Sequence, residues 1–73
     1  MGKWVISNHI RKLRFNHNEM TQQQLAELVG VTRQTIVAIE KGNYSPSLDL
    51  AFRIALAFNV TLDQVFFIED DKS

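Results

Sequence analysis

There is no cysteine among the 73 residues, which excludes disulfide staples and thiolate-bound zinc. No apolar run approaches the ~20 residues needed to cross a bilayer, and Met1-Gly-Lys-Trp lacks the apolar stretch and cleavage site of a secretory signal. A cytoplasmic protein without membrane contact is therefore expected. No glycine-rich phosphate loop and no Ser/His/Asp set occurs either. His9 and His17 have no third ligand at metal spacing, so they are expected to be exposed or partly buried imidazoles. These gaps count against an enzyme and predict no metal, no cofactor and no small-molecule ligand. Net charge is missing too, since eight cations balance eight anions.

What is present is unevenly placed. Residues 1–45 carry a net charge of +3 and residues 46–73 a net charge of −3. An excess of that size can favour a polyanion locally, although scatter in so small a sample would give the same asymmetry. Hydrophobic residues at 45% and charged residues at 22% are the balance of a soluble globular chain. The length allows one domain, residues 1–73, and domains of this size bury only roughly 60% of their unfolded surface. A second copy would add to that small core.

Helix-start signals recur at short intervals. A first helix is expected from Ser7 or Asn8 to His17-Asn18, with Ile10, Leu13 and Phe15 inward and Arg11, Lys12 and Arg14 toward solvent. Thr21 and Gln24 form a capping-box pattern that opens a second helix, with Leu25, Leu28 and Val29 inward. Gly30 suits a left-handed stop. Thr32 caps a third helix running to about Lys41, and the turn-like Asn43-Tyr-Ser-Pro-Ser47 ends it. The fourth helix, Leu48 to about Phe58, is apolar on two sides, Leu50, Ala51, Ile54 and Phe58 against Leu48, Phe52 and Leu56, and is expected to be covered on both. Thr61 and Gln64 open a fifth, with Leu62, Val65 and Phe66 inward. Lys3–Ile6 and Val65–Ile68 read equally as two strands that could pair or as irregular termini on the core, and the tail 70–73 as disordered.

Residues 22–41 form one unit: helix, tight turn, helix. Ala26 must be small because the third helix passes close above it, while Leu25, Val29, Val31, Ile36 and Ile39 fill the wedge between the helices. On this pattern the segment "MTQQQLAELVGVTRQTIVAIEKGNYSPSLDLAFRIALAFNVTLDQVF", Met20 to Phe66, with "HIRKLR" before it, resembles the Cro and phage-repressor, or Xre-type, helix-turn-helix regulators. The resemblance implies an all-α, five-helix lambda-repressor-like domain, to which small members ending in a Val-Phe-Phe segment can add a short antiparallel β-pair at the termini. It also implies a transcriptional repressor that binds double-stranded DNA as a homodimer, with the third helix in the major groove. One departure is that "RFNHNEMT" is a residue longer than the commonest spacing, which should alter the loop between the first two helices.

The resemblance, carried over position by position, makes Arg33 and Gln34 base readers, with Val37 able to pack on a thymine methyl. Gln22 would bind phosphate or brace a recognition side chain, and Thr32 would cap its helix while reaching phosphate. Lys41, Asn43, Tyr44 and Ser45 would position the domain on the backbone. Arg14 and Glu40 match an internal ion pair. Phe52, Leu56, Phe66, Phe67 and Ile68, with Trp4, are more apolar groups than one small core needs and are expected at the dimer interface. Such a dimer would present its recognition helices ~34 Å apart to an inverted repeat. The rival reading is an antitoxin-like protein-interaction module on the same scaffold, distinguished by a patch that stays apolar in the dimer.

Overall fold

The structure, a computed structural model, describes the backbone of residues 3–71 and the side chains of residues 5–69. Its elements run β1 (Lys3–Asn8), α1 (Ile10–Asn16), α2 (Gln22–Val29), α3 (Arg33–Glu40), α4 (Leu48–Ala57), α5 (Leu62–Val65) and β2 (Phe66–Asp71). The core is built from one apolar edge of each helix: Ile10 from α1, Leu25, Ala26 and Val29 from α2, Ile36 and Ile39 from α3, Leu50, Ile54 and Ala55 from α4, and Val65 from α5, with Phe58 closing the base. Burying the valine, leucine, isoleucine and phenylalanine side chains among these stabilises by about 1.5–3 kcal/mol each relative to exposure.

Local chemistry sets the helix ends. At α2 the Thr21 hydroxyl accepts from the Gln24 N–H at 3.0 Å, and the Gln24 side chain accepts from the Thr21 N–H at 2.8 Å. Thr32 caps α3 through the Thr35 N–H, and Ser47 caps α4 through the Leu50 N–H. At α5 the Gln64 side chain accepts from the Thr61 N–H, while the Thr61 hydroxyl donates to Asp63. Three helices stop with one device, a left-handed residue whose successor's N–H reaches back five residues: Gly30 and Val31 to Ala26, Gly42 and Asn43 to Ala38, Asn59 and Val60 to Ala55. Arg53, on α4, donates to the Val29 carbonyl at 3.2 Å and so clamps the end of α2.

The termini do pair. β1 and β2 form a two-stranded antiparallel sheet with Lys3 opposite Asp71, Ile6 opposite Ile68 and Asn8 opposite Phe66. This extends the all-α expectation with a ribbon and corrects three boundaries. Ser7 and Asn8 belong to the ladder, so α1 begins at Ile10; Val65 closes α5, so β2 begins at Phe66; and Asp70 and Asp71 are strand, not disordered tail. The expectation for residues 72–73, and that for the Trp4 side chain, lies outside the described residues.

Two inward assignments are overturned. Leu28 is 62% exposed because close approach of α3 turns Ala26 into the core, and the buried face of α2 becomes Leu25, Ala26 and Val29. Phe15 is 68% exposed because Ile10 and Leu13 define the inner edge of α1 and Phe15 falls off it. The α4 helix is covered on one side only: within a single chain Leu48, Phe52 and Leu56 are exposed. The longer loop between α1 and α2 is accommodated by two consecutive left-handed residues, Asn18 (φ 57°) and Glu19 (φ 53°). Left-handed backbone costs a non-glycine residue roughly 1–2 kcal/mol, and asparagine least. Glu19→Gly should therefore stabilise the fold by about 1 kcal/mol, raising Tm by roughly 4–8 °C. Gly30→Ala, at φ 78°, should lower it comparably. Thermal melts by circular dichroism check both, and an unchanged or lowered Tm for Glu19→Gly would contradict the strain assignment.

Candidate nucleic-acid interface

An open groove of about 690 Å³ lies between the α1–α2 region and the outer face of α3. Its floor is a hydrogen-bonded ion pair. Arg14 donates to both Glu40 oxygens, Nε to Oε2 at 2.7 Å and Nη2 to Oε1 at 3.0 Å, and its Nη1 donates to the Met20 carbonyl at 2.8 Å. Gln22 Nε2 adds a donor to Glu40 Oε1 at 3.2 Å. The pair is largely shielded, with 14% and 10% of the two side chains exposed. Through it α1, the α1–α2 loop, the first turn of α2 and the last turn of α3 are held on two side chains.

Above that floor the groove carries Arg33, Lys41 and Arg11, all exposed and in no ion pair among the described residues. Val37 forms part of the wall, half-buried. Glu40, the one acidic residue of α3, has its charge met by Arg14, so the positive side chains dominate the α3 side of the groove. Charged groups lining one cleft reinforce each other's field toward a polyanion.

The expected site residues fall into three places. Gln22, Arg33, Val37 and Lys41 line the groove together. Thr32 and Gln34 are exposed at the N-terminal end of α3, where the Thr32 hydroxyl caps the helix and shares a 3.1 Å hydrogen bond with the Thr35 hydroxyl. Asn43, Tyr44 and Ser45 are exposed in the loop after α3, but Tyr44 and Ser45 border a separate recess shared with Ile6, Ile39 and Phe66. Gln22 braces Glu40 rather than Arg33 or Gln34. Of the expected interface residues, Phe52, Leu56 and Ile68 are exposed, whereas Phe66 packs against the core and Phe67 stacks on His9 with ring centroids 4.4 Å apart. Arg11, Gln23 and Asn8 also line the groove and were not among the expected contacts. The i, i+3 spacing of Arg11 and Arg14 was the available signal for the first; Asn8 carries none, because its partner is distant in sequence.

Comparisons with known proteins agree with this geometry. The helix-turn-helix family matches residues 10–65. An uncharacterized HTH-type transcriptional regulator of Methanocaldococcus jannaschii is 51% identical over 67 residues, covering 92% of this chain and all of that protein. The uncharacterized HTH-type transcriptional regulator YgzD of Bacillus subtilis is 46% identical with the same coverage. The cryptic phage CTXphi transcriptional repressor RstR of Vibrio cholerae is 31% identical over 84% of this chain and 54% of its own length. Among solved structures, a candidate DNA-binding protein from Bacteroides fragilis superposes with a TM-score of 0.74 at 27% identity, covering 86% of this chain and all of that one.

Removing one member of a shielded ion pair strands the other. Glu40→Ala should cost about 2–3 kcal/mol, and the Arg14→Met/Glu40→Leu double variant less than the sum of its singles. Urea denaturation of the four proteins gives the coupling, and strict additivity would mean the pair contributes no mutual stabilisation.

Proposed function

The chain belongs to the Xre-type helix-turn-helix family, and we propose that it is a sequence-specific double-stranded DNA-binding transcriptional regulator. In this reading it acts as a repressor, binding an inverted-repeat operator as a homodimer with α3 in the major groove. The observation that carries it is the groove in which Arg11, Arg33 and Lys41 converge over a Glu40 already neutralised by Arg14. Arg33 can give a bidentate pair to guanine O6 and N7, Gln34 can pair with adenine N6 and N7, and Val37 offers an apolar contact to a thymine methyl. Gln22, Thr32, Lys41, Asn43, Tyr44 and Ser45 supply phosphate contacts or brace the readers. The relative named a transcriptional repressor supports repression as the direction of control.

Exposed Leu48, Phe52 and Leu56 on α4 and Ile68 on β2 support the dimer. A stable pairing would cover apolar surface that this small domain leaves in water, and two-fold symmetry would place two copies of α3 against successive turns of the groove.

Selection from a random DNA pool should enrich an inverted repeat, with Arg33→Ala and Gln34→Ala each costing about 1–3 kcal/mol and relaxing one position per half-site. With three unpaired cations lining the groove of each chain, a dimer should show a log–log salt slope of about −5, reduced by about 2 in Lys41→Ala. Light scattering should give twice the 8.4 kDa chain mass, and Leu56→Glu should halve it. A pool that yields no motif, or a monomer at micromolar concentration, would refute the respective halves of this reading.

A further inference from the structure

We propose that Asn8 is a positioning residue: it locks α3 to the terminal ribbon and thereby sets the spacing between operator half-sites that the dimer prefers. The inference rests on the dimeric DNA-binding reading above.

Asn8 closes β1, opposite Phe66. Its two amide ends are both committed. Nδ2 donates to the Ile39 carbonyl at 3.0 Å, and Oδ1 accepts from the Ile10 N–H at 3.1 Å. The orientation of the amide is fixed by chemistry, since a carbonyl can only accept and a backbone N–H can only donate. Ile39 lies in the last turn of α3, and its carbonyl also receives the Gly42 N–H at 3.0 Å. One side chain thus joins the base of the ribbon, the start of α1 and the end of α3.

The placement matters because Ile6 and Phe66 of the ribbon meet α3 only through apolar packing around Ile39, and Asn8 adds a directional bond there. Asn8 borders both the groove and the recess formed by Ile6, Tyr44 and Ser45, so it occupies the wall between the candidate DNA face and the ribbon. If the ribbon contributes to the two-fold contact, a swing of α3 relative to its own ribbon, which would change its distance from the partner's α3, must break the bond to Ile39. Losing it leaves each half able to read DNA and lets the two halves adopt several separations.

The test compares wild type with Asn8→Asp and Asn8→Ser. Both keep an acceptor for the Ile10 N–H; the first sets a carboxylate against the Ile39 carbonyl, and the second is too short to reach it. Ser7→Ala removes the exposed 2.6 Å hydrogen bond to Glu69 in the same ribbon and serves as the control. Using the selected operator, affinity is measured for an isolated half-site and for full sites with spacers lengthened or shortened by one and two base pairs. Because Asn8 lines the groove, each variant's full-site affinities are compared with its own half-site affinity; on that basis the preference for the best spacer over its neighbours should fall about five-fold in both Asn8 variants. Ser7→Ala should retain the wild-type profile. A wild-type ratio in both Asn8 variants overturns the role of Asn8 alone, as does a loss of half-site affinity equal to the loss on full sites. A wild-type protein with no spacer preference overturns the dimeric reading and this inference with it.

Discussion

The bidentate contact of Arg14 with Glu40 organises the rest of the molecule around it. A planar guanidinium meeting a carboxylate along two parallel hydrogen bonds fixes orientation as well as distance, and here its third donor reaches the Met20 carbonyl. The angle of α1 against α3 and the path of the loop that leads into α2 are set together. Desolvating both charges offsets much of their attraction, so the contact contributes geometry more than net stability. It has an electrostatic result as well. A bare carboxylate on α3 would oppose an approaching phosphate; with Arg14 under it, Glu40 becomes part of the frame, and Arg11, Arg33 and Lys41 outnumber Glu19, the remaining carboxylate of the groove.

This accounts for a groove with cationic walls in a chain whose net charge is zero. The anions of the second half lie elsewhere: Asp49 pairs with Arg53 on α4, Asp63 takes the Thr61 hydroxyl, and Glu69 takes the Ser7 hydroxyl on the ribbon. Field at a surface depends on which charges face it rather than on their total.

What could be read in the sequence was what short-range chemistry decides. The Thr21–Gln24 box, the Thr32 and Ser47 caps and the left-handed Gly30 each involve residues within a few positions, and all appear where the pattern puts them. The inward faces were legible to within about one helical step, which is where Leu28 and Phe15 were misassigned: a small residue such as Ala26 enters the core only because another helix approaches, and no local pattern reports that approach. Pairing of the termini cannot be decided by short-range pattern because its partners are some sixty residues apart, and acidic Asp70 and Asp71 resemble a solvated tail until Lys3 and Trp4 are known to lie opposite. The candidate site divides the same way. Arg33 and Gln34 follow from the motif, whereas Asn8 emerges only when a strand end and a helix end meet across 31 residues.

The ribbon also differs from the helix-turn-helix in how far apart its partners lie along the chain. Helices α2 and α3 and their turn close contacts over a few residues to a few tens, but β1 can pair with β2 only across a far longer stretch of chain, Ser7 and Glu69 lying 62 positions apart. Loop entropy makes such a pairing late, and an isolated two-strand sheet is marginal by itself. The helix-turn-helix of α2 and α3 can therefore be closed while the ribbon is still open. Opening of the ribbon would then respond to temperature separately from the integrity of the helix-turn-helix.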